Sequence, residues 1–291
     1  MSGRGWRRDL LGVFLMLWAL LAGRWVYRGF ADGIPPPGAR TAREALRDPD
    51  EIPRWKHRKG FEKDTFTFAR LRYSVAGYTG RQNPYRWAID YPDADLNLSW
   101  RLHQMTSLKV DPDTRVLDIM DPELSRYPFV YMVEPGDLHL SDKEVVQLRN
   151  HLMNGGFLMV DDFWGEAEWE GFETEMRRVF PDRKWRDLPR SHPLFHCVFD
   201  IPDSLNLQCP NVMLGTRSEY TGVTWERDDA RDAHFRVWED DRGRICVMAC
   251  HNTDNGDGWE REGENEYYFR NFSEKKAYPL GINIIFWAMT H

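Results

Sequence analysis

The segment from Ser141 to Gly165 restricts the fold more than any other part of this chain. Ser141 and Glu144 have the spacing of a capping box, which opens a helix by satisfying two of its free N–H groups. Val145, Leu148 and Leu152 follow at helical spacing, and Asn154-Gly155-Gly156 supplies a stop. FLMVD comes next, a continuous apolar run of strand length, followed by a turn through Asp162-Phe163-Trp164-Gly165. Upstream, YPFVYMVEPG (Tyr127 to Gly136) is a second such run ending in Pro-Gly. Strands that are apolar on both faces belong to parallel sheets covered by helices on each side. The expectation is a doubly wound, mainly parallel α/β sheet of Rossmann or flavodoxin-like type.

The flanking patterns extend this reading. FTFARLRY (Phe66 to Tyr73) alternates as a strand does, and RVLDI is a further short strand. Leu98, Leu102, Met105 and Leu108 recur at helical spacing, with Asp95 as the candidate N-cap. Trp169, Phe172, Met176 and Val179 mark a helix over Glu166 to Phe180, ended by Pro181. Pro189 to Glu226 reads as loop-rich. RVWEDDRGRICVMAC reads as a hairpin turning at Asp240 to Gly243, and YPLGINIIFWAMTH as a closing apolar helix.

The N-terminus differs in kind. Leu10 to Gly23 is an uninterrupted apolar run of 14 residues behind Arg4, Arg7 and Arg8. Its length lies between an export-signal core and a full membrane span. Residues 1–30 are therefore expected to be a signal-anchor, forming an N-terminal hydrophobic helix, or alternatively an export signal. The surplus of arginine ahead of the run places the remainder outside the cytoplasm. The expected location is the cytoplasmic membrane with the globular part facing the periplasm, or else an exported soluble protein. Residues 31–63, rich in Pro, Gly and charge, read as a linker, and 64–291 as the folded domain. A net charge of −7 without long basic runs after residue 60 excludes a general nucleic-acid binder. The four cysteines include no C-x-x-C, and Cys246 and Cys250, four apart on a strand, lie about 13 Å apart, too far to bridge. Buried free thiols are the preferred reading.

Ligands of open α/β sheets bind beyond the carboxyl ends of the strands, so the polar residues that follow strands are the candidates. Asp161 and Asp162 follow FLMV, and His251 to Gly258 follow ICVMAC. Asp161, Asp162, His192 and His251 are the candidate catalytic groups. Asp161, Asp162, His251 and Asp254 are the candidate ligands of a divalent metal. Each has a plainer reading. The paired acids suit the positive end of the helix that follows, the HNTDNGDG stretch suits Asx turns, and Pro193 interrupts the His192/His196 spacing. Tyr78, Tyr85, Trp87, Trp164 and Trp259 suggest carbohydrate stacking by composition alone. No nucleophile-elbow, dinucleotide or P-loop motif is present.

DYPDADLNL, YPFVYM, LRNHLMNGGFLMVDDFWG, RVFP, SHPLF, HNTDNGDGWER and AYPLGINIIFWAMTH together make the chain resemble the bacterial family called domain of unknown function 4159. That resemblance implies one Rossmann-like domain with a glutamine-amidotransferase-like fold, often attached to a membrane or export signal, and no established reaction. In amidotransferase-like proteins a helix, a Gly-Gly stop and a buried strand lead to an elbow carrying a nucleophilic Cys. Here the elbow falls at about Asp161 to Trp164, with no thiol, so glutaminase activity is not expected. The resulting expectation is a non-catalytic binding or assembly module, tethered to the membrane and joined to a protein partner there. The alternative is a hydrolase or metal-dependent enzyme using the acids and histidine at the strand ends.

Overall fold

The computed structural model describes residues 36, 38–46, 52–56, 64–75 and 85–291. The chain separates into two units, Met1–Ile34 and Pro35–His291. The first unit, with the expected hydrophobic helix, lies outside the described residues, as does most of the expected linker. Among the described residues no helix is long and apolar enough to cross a membrane.

Among the described residues of the larger unit nine strands form: β1 (Ala69–Arg72), β2 (Ser74–Val75), β3 (Arg115–Asp118), β4 (Phe129–Val133), β5 (Leu138–His139), β6 (Phe157–Asp161), β7 (Arg186–Asp187), β8 (His234–Glu239) and β9 (Ile245–His251). Seven of them make one sheet in the order β3-β1-β4-β6-β9-β8-β7, and β2 pairs with β5 separately. β3, β1, β4, β6 and β9 are mutually parallel. β8 runs antiparallel to β9, and β7 antiparallel to β8. Numbered along the chain, the five parallel strands stand in the order 2-1-3-4-5, the flavodoxin-like arrangement, whose direction of winding reverses between β1 and β4. The sheet is thus mostly parallel and the fold Rossmann-like, as expected.

Strand parity divides the core in two. Successive residues of a strand face opposite sides, so Val130, Met132, Leu158, Val160 and Ala249 point one way, and Phe129, Tyr131, Val133, Phe157, Met159, Met248 and Cys250 the other. The first face is covered by α2 (Asp142–Met153) through Val145, Leu148 and Leu152, and by α3 (Gly165–Val179) through Trp169, Phe172 and Met176. The second is covered by α1 (Asp93–Met105) and by the C-terminal α6 (Tyr278–Thr290). Between the two come α4 (Val212–Thr221) and α5 (Asn255–Glu260). A π-helical stretch, Phe269–Ala277, leads into α6.

The capping box at Ser141 is formed, and Gly155, with φ of 107°, turns the chain out of α2. The DDRG hairpin, α3 and the terminal helix also lie where the sequence places them. Four expectations are corrected. The β1 ladder is shorter than Phe66 to Tyr73, with Phe66 making only an isolated bridge to Val110. Leu108 lies beyond α1, which ends at Met105. Pro189 to Glu226 contains a 3-10 turn (Pro193–His196) and α4. Asp95 is not the cap of α1, whose N-cap position is Pro92; its carboxylate is used inside the protein.

That carboxylate binds Arg70, which β1 carries into the core with no exposure of either side chain. Arg70 donates through Nε to both Asp95 oxygens (3.0 and 3.1 Å) and through Nη2 to Oδ1 (2.5 Å). Its Nη1 donates to the carbonyls of Trp87 (3.0 Å) and Ile89 (2.8 Å). Removing one partner of a buried ion pair strands the other charge in a low-dielectric interior, which costs about 3–5 kcal/mol. Arg70→Met should therefore lower the unfolding free energy in urea by that amount. The double substitution Arg70→Met/Asp95→Leu should recover a large part of it. A loss below about 1 kcal/mol for the single variant would show that the pair does not organise this half of the sheet.

Candidate functional site

Beyond the carboxyl ends of β4, β6 and β9, at the side where the winding reverses, lies a cleft of about 510 Å³. Asp90, Glu134, Asp162, Glu226, Asp254 and Asp257 all line it, as do Arg86 and Arg227. Asp90 is reached from β1 through the Arg70-bound segment, Glu134 directly follows β4, Asp162 follows β6, and Asp254 follows β9. Each strand end thus contributes an acid to one volume.

Backbone conformation concentrates in the same place. The described residues include five non-glycine positions with left-handed φ, and three of these line the cleft: Asp90 (62°), Glu134 (48°) and Asp162 (54°). Asn252 (61°), directly after β9, is a fourth at the same edge. Such conformations cost on the order of 1–3 kcal/mol each and persist only where surrounding bonds over-determine them. Those bonds are present: Glu134 N donates to Asp161 O (3.0 Å), Asp162 N to Thr253 O (3.1 Å) and Asn252 N to Phe163 O (2.9 Å). Asp162 stands between β6 and α3 as the elbow residue.

Asp90, Asp162 and Asp254 each offer a carboxylate oxygen within 4.8 Å of the other two. Asp162 Oδ1 accepts from Trp164 Nε1 (2.9 Å), and Asp254 Oδ1 from Asp257 N (2.7 Å) as the cap of α5. Asp90 is 9% exposed, and its Oδ2 is buried with no hydrogen-bond partner. The close approach needs glycine at 256, where a Cβ would lie 2.1 Å from that oxygen. Among the described residues no Lys or Arg forms an ion pair with any of the three. The arginines nearby are paired with other acids, two of them on the cleft wall: Arg86 with Glu134 (3.7 Å) and Asp137 (3.4 Å), and Arg227 with Glu168. A second trio, Asp90 with Asp257 and Glu260, is also compact. Arg261 already neutralises it, lying 3.2 Å from Asp257 and 2.5 Å from Glu260.

Burial, followed by the neighbouring negative charges, pushes the carboxyls of Asp90, Asp162 and Asp254 well above the usual range. Burial raises Glu134 to about 7. Oxygen ligands of this kind suit a hard cation such as Mg²⁺, Mn²⁺ or Ca²⁺ better than zinc.

The residues singled out from sequence divide between this trio and other tasks. Asp162 and Asp254 meet in the cleft. Asp161 does not join them. Its Oδ2 accepts from Asn255 N (2.9 Å), Gly256 N (3.0 Å) and the Tyr131 hydroxyl (3.2 Å), and its Oδ1 from Asn255 Nδ2 (2.7 Å). Asp161 therefore holds the start of α5. The acids do not cap α3 as the plainer reading had it. The first N–H groups of that helix, from Trp164 to Glu166, go to Glu168, Asn252 and Asp229. His251 lies beneath α3, against Phe163 and Trp169, with Nε2 3.0 Å from Gly165 O and Nδ1 3.2 Å from Arg236. Burial, more than the Arg236 charge, lowers its pKa to about 3. His192 starts the Pro193–His196 turn, its Nδ1 accepting from Leu194 N (3.2 Å). Trp87, Trp164 and Trp259 are buried, which removes them as exposed stacking platforms. All four cysteines are free, and none lines the cleft.

Asp90, Glu134 and Glu226 were not singled out from the sequence, and Asp257 lay in the His251 to Gly258 stretch without being named as a ligand or catalytic group. Glu134 carried a usable signal, an acid directly after a fully apolar strand, the same signal that marked Asp162. Asp90 carried none, because its place depends on the Arg70 bonds to residues 87 and 89.

An α/β protein with an acid-lined cleft at the reversal point of a Rossmann-like sheet is the class defined here. The family model described as domain of unknown function (DUF4159) matches residues 67–289, and the chain belongs to that family. A comparison with curated proteins finds no match.

The like-charge trio has a measurable consequence. A carboxyl whose pKa is raised by folding binds more protons folded than unfolded between the two pKa values, so stability falls as pH climbs through that window. Buried neutral His151 and His251 act in the opposite sense, but they cancel when two variants are compared. Asp254→Asn keeps the α5 cap and removes one charge. In chelator, calorimetry should show it more stable than the parent at pH 8, by on the order of 1–3 kcal/mol. The difference should shrink toward pH 5, where the parent carboxyls take up protons. A difference that stays constant from pH 5 to 8, or favours the parent at pH 8, would contradict this electrostatic account.

Proposed function

We propose that this domain is a hydrolase dependent on a hard divalent cation held by Asp90, Asp162 and Asp254. The observation that carries the reading is that buried Asp90, one of whose oxygens has no hydrogen-bond partner, offers a carboxylate oxygen within 4.8 Å of those of Asp162 and Asp254, with no basic side chain paired to the three among the described residues. Three buried negative charges in contact are unfavourable alone, and a divalent cation is the species that offsets them. A hard cation held there would supply Lewis-acid activation of a water. Glu134, on the wall of the same cleft with its carboxyl near neutrality, is suited to take the proton.

The elbow supports an amidotransferase-like ancestry: a strand, a left-handed residue and a helix, with Asp162 standing where that superfamily places its thiol. A carboxylate does not replace the thiolate in glutamine hydrolysis, and no cysteine lines the cleft. The cation reading is therefore preferred both to glutaminase activity and to a purely passive assembly module. The apolar run Leu10 to Gly23 supports placement of the cleft on the periplasmic side of a membrane anchor as part of the same proposal.

Titration calorimetry and thermal unfolding of the full chain test the reading. One equivalent of Mg²⁺, Mn²⁺ or Ca²⁺ should bind. At a hundred times Kd the cation should add about 2.7 kcal/mol, raising Tm by roughly 5–10 °C. Asp90→Asn and Asp254→Asn should abolish that rise. With Mn²⁺ present, a panel of chromogenic carboxylic and phosphoric esters should show turnover that Asp162→Asn removes. No cation binding by the parent chain would sink the whole reading. Cation binding without turnover of any ester would leave a cation-binding module and remove the hydrolase.

A further inference from the structure

We propose that a second cleft, lined by Trp169, Glu173 and Arg177 further along α3 than the acidic one, binds the phosphate group of a small phosphorylated molecule. This cavity of about 550 Å³ is bounded by α3, the connector from Pro181 to Asp187, and β8. Four cationic side chains line it, Arg177, Arg183, Lys184 and Arg236, against two acids, Glu173 and Asp187. In a chain of net charge −7 this is a local reversal of sign.

Arg236 is the organised centre of the cleft. Its guanidinium lies over the Trp169 ring at 4.0 Å, Nη1 donates to His251 Nδ1 (3.2 Å), and Nε is 3.8 Å from Asp187. The His251 tautomer follows from those partners, since Nε2–H donates to Gly165 O and leaves Nδ1 as acceptor. A ring on one face and an imidazole on one edge hold the planar fork in place. Nη2 has no partner among the described residues. A fork positioned in advance matches the geometry of phosphate oxygens and loses little freedom on binding them.

The surroundings complete an oxyanion site. Lys184 is exposed and has no acidic partner among the described residues. The pairs Arg177–Glu173 and Arg183–Asp241 each have one exposed and one half-buried partner, close to the surface class of ion pair that is worth little. Trp185 stacks on Trp238 at 4.2 Å, and its indole Nε1 is a buried donor with no acceptor. An unsatisfied donor beside a basic cleft is complementary to an oxygen acceptor. The concave shape and the aromatic wall favour a small molecule over an extended polyanion.

The site is independent of the cation reading, so its test is run in chelator. Inorganic phosphate and pyrophosphate are titrated into the full chain at low salt and followed by calorimetry. One saturable site is expected, weakened at least ten-fold in Lys184→Glu and in Arg236→Gln. Trp185→Phe, which keeps the stacked ring and removes the donor, should weaken it measurably. Lys184→Glu changes only an exposed side chain, which keeps the test valid if Arg236→Gln unfolds. Absence of saturable binding of both anions, or equal affinity in Lys184→Glu, overturns the proposal. Retention by phosphatidate vesicles without binding of either free anion overturns it as well.

Discussion

The buried contact between Arg70 and Asp95 is the constraint on which this half of the molecule rests. A guanidinium presents five donors in a fixed plane, and four of those of Arg70 find acceptors in the core. Asp95 takes those of Nε and one side of Nη2, while Nη1 takes the carbonyls of residues 87 and 89. The rings of Tyr91 and Tyr131 cover the cation at 5.6 and 5.0 Å. One side chain on β1 thereby sets the path of the chain up to Ile89 and the position of the first turns of α1. Asp90 sits between those two anchored points. Its left-handed φ and its approach to Gly256 are the local result of a core ion pair rather than of any preference of its own.

The other acids are positioned by an extension of the same sheet. β4, β6 and β9 stop pairing at Val133, Asp161 and His251, but backbone bonds continue past them through Glu134, Asp162 and Asn252. Each residue that supplies one of these N–H groups has left-handed φ. The strand ends therefore flare in concert, which brings Glu134 and Asp162 to the cleft and Asn252 to the start of α3. A single strained turn would relax by rotating a few backbone angles. Three turns bonded to one another's strands cannot do so separately, which is why most of the strain collects here.

Much of the scaffold was legible because period and punctuation agree. The capping box, the Gly-Gly stop and the two-faced apolar strands each allow one local structure, and each formed. The site was legible only by halves. Asp161 and Asp162 are neighbours in sequence, but strand parity sends them to opposite sides: Asp161 shares the face of Phe157 and Met159 and goes to α5. His251 shares the face of Ala249 and goes under α3. An expected site combining Asp161 with His251 thus joined residues on opposite faces, a conflict that appears only once the register of β6 against β9 is known. α4 and α5 were missed for another reason. Their burial comes from small and polar residues such as Gly215, Ser218, Gly256 and Gly258, which produce no hydrophobic period.

His251 clarifies how the two sides of α3 relate. It bonds Gly165 at the beginning of the helix and Arg236 in the basic cleft, so it spans from the elbow to the second cavity. A histidine in that position invites a reading as a proton switch, but its surroundings argue otherwise. Burial among Phe163 and Trp169 holds its pKa at about 3, and Arg236 adds to the same shift. The ring is neutral throughout the range in which a free histidine titrates, with one nitrogen a fixed donor and the other a fixed acceptor. It is a strut between the elbow and the guanidinium. The separation of charge follows: acids gather where the parallel strands end, cations where α3 meets the antiparallel edge, and a neutral ring joins the two without carrying charge between them.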